Sequence, residues 1–248
     1  MMNDSDKREL GRFYGVGVGP GDVSMLTLRA AEVLRGVDVI FHATGRNSKV
    51  SVSGSVVDAL EECNAEMEQL TFSMHRDQSV CADAWDKNAE KIAARLKQGE
   101  NCAFATIGDP LLFSTYSYLL ERVRRLLPEV EVETVPGITS FQVAASRTNQ
   151  PLAENTDLLA IVPAADSITP EQESVLKAFD CSVLLKTYRH RNQILDRMAD
   201  KSGNSEELDG FYAARLGMDG EVVTSNIREI KERPDEYLSM LILKNRKD

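Results

Sequence analysis

Apolar and polar positions follow two rhythms along the first half of the chain, and each rhythm predicts a different element. Short β-branched runs predict buried parallel strands, and a period of 3.6 residues predicts amphipathic helices. The strands are expected at the run that opens with Phe13, at Val37–Ala43, at NCAFATIGDP and at EVEVETVPG. The helices are expected at VSMLTLRAAEVLRG, from about Val80 to Lys97, at STYSYLLERVRRLL and at ITSFQVAASRTN. Asp22 or Ser24 is expected to cap the first of these helices.

The second half repeats the alternation of strands and helices. Strands are expected at DLLAIVP, CSVLLKTY, DGFYAARLG and YLSMLIL, with helices near Glu171–Phe179, Asn192–Lys201 and Ser225–Arg233. This order predicts an α/β protein made of two α/β domains with mostly parallel sheets. A division near Pro136 gives two domains of ordinary size, which we place at residues 1–136 and 137–248.

The composition excludes some classes of protein that have this pattern of strands and helices. The 248 residues carry a net charge of −10, which disfavours a nucleic-acid-binding surface. No apolar run approaches the roughly 20 residues of a membrane span, and the start MMNDSDKREL is too polar for a secretory signal. We therefore expect a cytoplasmic protein with no membrane or nucleic-acid partner. The four cysteines form no C-x-x-C pair, so reduced thiols and no protein-bound metal are expected.

The stretch FYGVGVGPGD, Phe13–Asp22, carries four glycines, but it does not fit the common phosphate-binding fingerprints. In a G-x-G-x-x-G pattern the third glycine would fall on Pro20 or on Asp22. No lysine follows before Lys49, which excludes a phosphate-binding P-loop. The pattern instead predicts a strand that ends in a glycine turn, and a tight turn packed under a neighbouring loop would have the same pattern.

Three loops stand where predicted strands end, which is where open α/β sheets bind ligands. They are GPGD after the first strand, GDPLLFS at Gly108–Ser114 and VPGITSF at Val135–Phe141. Glycine and proline in all three let the backbone approach a ligand closely. The chain has no G-x-S-x-G or H-E-x-x-H motif and three histidines, so acid–base hydrolysis is a poor fit. A reaction governed by positioning fits better, and methyl transfer from a sulfonium donor is one.

Three longer stretches resemble the tetrapyrrole methylases, enzymes that use S-adenosyl-L-methionine to methylate corrin and sirohaem precursors. They are YGVGVGPGD, IGDPLLFSTYSYLLE and VEVETVPGITSFQVAASRTNQPLAE. With LTFSM at Leu70–Met74, the GDP motif resembles the branch that methylates C-20 of precorrin-2 or cobalt-factor II. The resemblance implies a homodimer in which two α/β domains enclose the methyl donor and a tetrapyrrole. Two alternatives stay open: methylation of another ring carbon or substrate, and a non-catalytic α/β ligand-binding module.

The resemblance also implies roles for particular residues. The donor is expected against Gly108, Asp109, Pro110, Leu111, Phe113, Ser114, Thr139, Ser140, Tyr188, Ala213 and Ala214. Pro20 and Gly21 are expected beside the tetrapyrrole, and its carboxylates are expected to pair with Arg46, Lys49 and Arg147. Because the macrocycle supplies the nucleophile, a protein base is optional. Tyr116, Tyr118, Asp22 and His42 are the candidates, each with packing or capping as its alternative.

Overall fold

The computed structural model describes residues 9–45, 51–72, 78–164, 168–202 and 207–245. The chain separates into two compact units, Met1–Thr139 and Ser140–Asp248. The boundary expected from the sequence follows Pro136, in the same inter-element segment. Each unit consists of a five-stranded sheet and helices, which confirms the α/β class, although the sequence predicts four strands in each half.

In the first unit, strands and helices alternate along the chain and the sheet is wholly parallel. The elements are β1 Phe13–Gly17, α1 Leu28–Gly36, β2 Val39–Gly45, α2 Val52–Asp58, β3 Glu66–Phe72, α3 Gln78–Leu96, β4 Cys102–Thr106, α4 Tyr116–Leu126 and β5 Val132–Val135. The strand order is β3-β2-β4-β1-β5. Strand β1 therefore lies between β4 and β5, and the carboxyl ends of these three strands meet at one edge of the sheet.

Both faces of this sheet are buried, because successive side chains of a strand point to opposite faces. Phe13 and Phe104 face one core, which includes Leu119 of α4. Val16 and Ala105 face the other core with α1 and α2. This two-sided burial explains why the inner strands β1 and β4 are mostly apolar runs.

The first helix begins later than the sequence predicts. Asp22 caps a short 3-10 turn at Val23–Met25, with its Oδ1 accepting from the Ser24 amide at 2.8 Å. The backbone then becomes extended at Leu26, and α1 begins at Leu28. Thr27 is its N-cap, because its Oγ1 accepts from the Ala30 amide at 3.1 Å. The Asp22 cap is confirmed for the turn but is wrong for the helix, since Thr27 supplies a second cap.

Glutamate–arginine pairs lie on both edge strands of the parallel sheet. On β3, Glu66 and Glu68 both pair with Arg95 of α3. On β5, Glu133 accepts from two nitrogens of Arg29 at 2.8 and 2.7 Å. The Arg29 guanidinium lowers the pKa of the Glu133 carboxyl. These charges lie next to backbone groups at the edges of the sheet.

The second unit contains a mixed sheet. Its elements are α5 Ser140–Thr148, β6 Leu159–Pro163, α6 Pro170–Ala178, β7 Cys181–Leu185, α7 Arg191–Ser202, β8 Glu207–Ala214, β9 Val222–Asn226, α8 Ile227–Glu232 and β10 Ser239–Lys244. The strand order is β6-β7-β10-β8-β9.

The expectation of mostly parallel sheets is confirmed for the first sheet and is wrong for the second. In the second sheet β6 and β7 are parallel, while β10 runs antiparallel to β7 and β8, and β8 runs antiparallel to β9. A short turn joins β8 to β9, and such a turn can connect antiparallel strands but not parallel ones. Within the described ranges, no helix combines the length and the apolar character needed to cross a membrane.

Candidate active site

The loops after β1 and β4 are joined through their backbones. The Val18 amide donates to the Thr106 carbonyl at 2.9 Å, and the Gly108 amide donates to the Gly19 carbonyl at 2.8 Å. Gly19 and Gly108 have φ angles of 73° and 69°. Such angles favour glycine, which is why the chain can make this close bridge. Two of the three loops predicted from the sequence are thus in direct contact.

Three glycines bring the loop after β5 into the same cluster. A Cβ on Gly17 would lie 2.5 Å from the Gly108 oxygen and 2.6 Å from the Gly137 nitrogen. A Cβ on Gly137 would lie 2.8 Å from the Gly17 Cα and closer still to the Gly108 oxygen. A Cβ on Gly108, in contrast, would meet no atom of the described residues within 4 Å. The three glycines therefore form a packed patch of backbone with open space on the side of Gly108.

The sequence predicts the loops but not this contact between glycines. Gly17 and Gly137 are not among the residues assigned to the donor from the sequence, although Gly137 belongs to the VPG loop and Gly17 to the stretch Phe13–Asp22 that it singles out. Alternation of glycine with valine in β1 is the signal that could have identified Gly17. It indicates that one face of the strand has no side chains where another backbone approaches.

Asp109 braces two loops with its carboxylate. Its Oδ1 accepts from the Leu111 amide at 2.9 Å, and its Oδ2 accepts from the Gly137 amide at 3.2 Å. Pro110 beside it is buried. The GDP motif therefore fixes its own loop and the VPG loop at the same time.

Apolar side chains are exposed directly beyond the GDP motif. Leu111 is 63% exposed and Phe113 is 47% exposed. Phe113 has a φ of 52°, a left-handed conformation that costs a non-glycine residue free energy. Ser114 then turns back towards the sheet, with its Oγ 3.0 Å from the Thr106 Oγ1. The segment thus presents two apolar side chains next to a patch of exposed backbone.

The two tyrosine candidates for a base lie in different surroundings. Tyr116 is fully buried, and its hydroxyl lies 2.9 Å from the Thr134 Oγ1. Burial raises the pKa of Tyr116. Tyr118 is 37% exposed, and its ring stacks on Trp85 at 4.4 Å between centroids. The two side chains are not brought to one point, which agrees with their spacing of two on a helix.

The other candidates for proton transfer lie on β2 and after β1. Asp22 caps the 3-10 turn described above, so one oxygen of its carboxylate has a backbone partner. His42 lies on β2, where its Nδ1 is buried without a hydrogen-bond partner among the described residues. Burial lowers the pKa of His42, and the charge of Asp58 opposes this effect.

The residues expected to bind substrate are only partly described. Pro20 is buried and Gly21 is half-buried in the turn after β1. Arg46 and Lys49 lie outside the described residues. Arg147 lies on α5 in the second unit, where its Nε donates to the Glu221 Oε1 at 2.6 Å.

The remaining donor candidates lie at the junction of the units and in the second unit. Thr139 ends the first unit and Ser140 begins the second. Tyr188 follows β7 and meets Tyr237 edge to face at 5.5 Å. Ala213 and Ala214 are buried on β8. Their contacts with a donor stay predictions.

Within the parts of the chain that the structure describes, no group of three or more His, Cys, Asp or Glu side chains is placed to hold a metal ion. Cys63, Cys102 and Cys181 are free thiols, and Cys102 and Cys181 are buried. Burial raises the pKa of the Cys102 thiol to about 12.

The fold is that of an α/β protein with glycine-containing loops at the carboxyl ends of parallel strands. The chain matches the Tetrapyrrole (Corrin/Porphyrin) Methylases over residues 12–231, and it belongs to that family.

Similar proteins extend over almost the whole chain. The Methanocaldococcus jannaschii protein named probable cobalt-precorrin-2 C(20)-methyltransferase is 34% identical, over 94% of this chain and 96% of its own. A Sinorhizobium protein named precorrin-2 C(20)-methyltransferase is 29% identical, over 96% of this chain and 97% of its own. The structure of uroporphyrin-III C-methyl transferase from Thermus thermophilus, complexed with S-adenyl homocysteine, has a TM-score of 0.64 at 20% identity. It covers 94% of this chain and 92% of that one, and this likeness shows the fold.

Proposed function

We propose that this protein transfers a methyl group from S-adenosyl-L-methionine to C-20 of precorrin-2 or cobalt-factor II, in cobalamin biosynthesis. The observation that carries the proposal is the glycine patch formed by Gly17, Gly108 and Gly137, which leaves backbone open to a ligand beside Gly108. Support for the tetrapyrrole comes from the two relatives that are named C(20)-methyltransferases at 34% and 29% identity. The alignments cover 96% and 97% of the relatives' own lengths.

The residues of the patch fit a methyl donor. An amino acid and a nucleoside need backbone donors, backbone acceptors and room for close approach, and glycine loops provide these. We assign the donor to Gly108, Asp109 and Pro110, with Leu111, Phe113 and Ser114 beside it and with Thr139 and Ser140 following β5. Since the Asp109 carboxylate accepts from the Leu111 and Gly137 amides, the loops are held in place before a ligand arrives.

Catalysis in this proposal consists of alignment. The sulfonium of the donor supplies an activated methyl group, which passes to C-20 while the sulfur leaves with the electron pair of the broken bond and C-20 loses its proton. The protein's contribution is to hold the two reactants in line and to exclude water. Tyr118, Asp22 and His42 stay candidates for receiving the proton. Leu111 and Phe113 offer exposed apolar surface of the kind that a macrocycle would cover.

The net charge of −10 would repel a substrate rich in carboxylates unless positively charged side chains lie close to it. We propose that Arg46, Lys49 and Arg147 pair with these carboxylates, because a guanidinium or ammonium acts at short range regardless of the total charge. Arg147 has Glu221 as a partner in the second unit. Pro20 and Gly21 are proposed to border the macrocycle.

The decisive experiment is mass spectrometry of precorrin-2 and of cobalt-factor II, each incubated with the protein and with donor carrying a labelled methyl group. We expect one labelled methyl group at C-20 in at least one of the two products. Labelling at another ring carbon would replace the proposed position, and donor binding without any transfer would refute the enzymatic proposal. The homodimer that the family implies stays a prediction. Light scattering coupled to size-exclusion chromatography tests it by measuring the molar mass of the protein.

A further inference from the structure

A series of short side-chain contacts connects the carboxyl end of β4 to β5. Thr106 ends β4, and its Oγ1 lies 3.0 Å from the Oγ of Ser114. The same Ser114 oxygen accepts from the Tyr116 amide at 3.1 Å. The Tyr116 hydroxyl then reaches the Thr134 Oγ1 on β5 at 2.9 Å. We call these four residues, Thr106, Ser114, Tyr116 and Thr134, the hydroxyl relay.

The Tyr116 ring of the hydroxyl relay packs against β1 at Gly15, where the absence of a side chain leaves room for it. A Cβ on Gly15 would lie within 2.6 Å of the Tyr116 Cε1, so any larger residue there would displace the ring. Phe13 and Phe104 pack around the ring from the same core, with centroids 5.9 and 6.4 Å from that of Tyr116. The ring is therefore fixed in position, and its hydroxyl is fixed opposite Thr134.

Strand β5 needs such an anchor because it is an edge strand of four residues, held in the sheet by β1. Thr134 is two residues from Pro136 and three from Gly137, whose backbone packs so closely on Gly17 and Gly108 that an added Cβ would not fit. A small tilt of β5 would change the spacing between the GDP loop and the VPG loop. These are the loops to which we assign the methyl donor.

The surroundings of the Tyr116 hydroxyl also argue against a direct role in proton transfer. The residue is fully buried, and its hydroxyl has a partner in Thr134. Burial raises its pKa further above the ordinary value of a phenol, which makes the phenolate harder to form. The hydroxyl therefore acts on a ligand through the positions of other residues.

We propose that Tyr116 is a positioning residue for the methyl donor, and that its hydrogen bond to Thr134 sets the spacing between the GDP and VPG loops. This inference rests on the proposed function, because it takes those loops as the donor site. Ser114 and Thr106 complete the connection on the side of β4. Tyr116, first considered as a base, thus has a role in binding the donor.

Donor affinity measured by calorimetry with S-adenosylhomocysteine tests the inference without requiring turnover. Tyr116→Phe removes the hydroxyl and keeps the ring, and Thr134→Val removes its partner at nearly constant volume. We expect each variant to raise the Kd by about threefold to tenfold, the range that one hydrogen bond of ordinary net strength would give. The Kd of the double variant should be no higher than that of either single variant, since the two substitutions remove the same hydrogen bond. Thr134→Ser keeps the oxygen and should restore affinity to near the wild-type value.

Tyr14→Phe is the matched control. Tyr14 precedes Gly15 on β1 and points to the opposite face of the sheet, where it packs against the other core. The Tyr14→Phe variant should therefore leave the Kd for S-adenosylhomocysteine unchanged. In Tyr116→Phe the pH dependence of kcat should keep its shape, because the hydroxyl takes no proton in this proposal.

Three results would overturn the inference. One is a wild-type Kd in Tyr116→Phe and Thr134→Val, with or without a lower melting temperature, because a purely structural bond would behave that way. Another is an unchanged Kd with a lower kcat and a shifted pH profile, which would make Tyr116 a proton acceptor. The third is additivity in the double variant. If the wild-type protein binds the donor but methylates neither tetrapyrrole, the proposed function fails while the Kd series still decides the role of Tyr116; if it binds no donor, both fail.

Discussion

Replacing Gly17 by alanine tests whether the glycine patch must be closed for the donor to bind. The added Cβ would lie 2.5 Å from the Gly108 oxygen, 2.6 Å from the Gly137 nitrogen and 2.7 Å from the Gly137 Cα. All three atoms belong to backbone, so no side chain can rotate away. Ordinary contact for a Cβ begins at 3.4 Å, and the loops therefore have to separate by about 1 Å.

The magnitude follows from this displacement. Overpacking of this kind costs about 1 to 3 kcal/mol of folding free energy. A displacement of about 1 Å at a site that works by alignment can lower the rate by about 100-fold. We expect Gly17→Ala to remain folded, to bind S-adenosylhomocysteine at least tenfold more weakly, and to lose about two orders of magnitude in kcat/KM.

Calorimetry with S-adenosylhomocysteine gives the affinity, urea denaturation gives the stability, and initial rates with labelled donor give kcat/KM. Gly36→Ala is the matched control, because a Cβ on Gly36, the last residue of α1, would meet no atom within 4 Å. This control should be as stable as the wild type or slightly more so, since glycine costs a helix about 0.5 to 1 kcal/mol relative to alanine. Wild-type affinity and kcat/KM in a folded Gly17→Ala protein would refute the argument that the closed patch is needed.

Three further predictions concern other parts of the molecule. Gly108→Ala should fold with a loss of about 1 kcal/mol from its positive φ, yet bind S-adenosylhomocysteine much more weakly in calorimetry, because its Cβ would enter open space that we assign to the donor. Cys102 has its pKa raised to about 12, so its contribution to stability is complete below its unfolded pKa of about 8.5 and is lost between there and about pH 12. In urea denaturation over that range, the free energy of unfolding of the wild type should therefore fall by up to about 1.4 kcal/mol per pH unit relative to that of Cys102→Ala. Parallel plots of unfolding free energy against pH for the two proteins would contradict this. Arg46→Glu with Lys49→Glu should raise the KM for the tetrapyrrole and leave the Kd for S-adenosylhomocysteine unchanged, whereas unchanged kinetics would remove both residues from the site.

The sequence predicts the inner strands of the first unit well because β1 and β4 are buried almost throughout. The run Cys102–Ala105 is apolar, and the strand ends at Thr106, two residues before the GDP motif begins at Gly108. The register between strands is a tertiary property, and it alone brings Gly17 opposite Gly108 and Gly137. For this reason the pattern predicts three ligand loops but not the backbone contact that joins them.

The second unit is harder to predict because its strands carry weaker signals. Strand β9, Val222–Asn226, is half-buried over four residues and ends in an exposed one, so it shows neither a continuous apolar run nor a clear alternation. Because β9 follows β8 after a short turn, the two strands are antiparallel. Thr27 shows the same limit at a smaller scale, because two potential caps five residues apart compete for one helix start.

The charged pairs on the edges of the parallel sheet also affect how this protein behaves at high concentration. An edge strand offers unpaired amide and carbonyl groups to any other chain in an extended conformation, which is a route to aggregation. Glu66 and Glu68 with Arg95 on one edge, and Glu133 with Arg29 on the other, place desolvation-sensitive charges where an added strand would have to lie. We therefore expect β5 to resist pairing with an added strand.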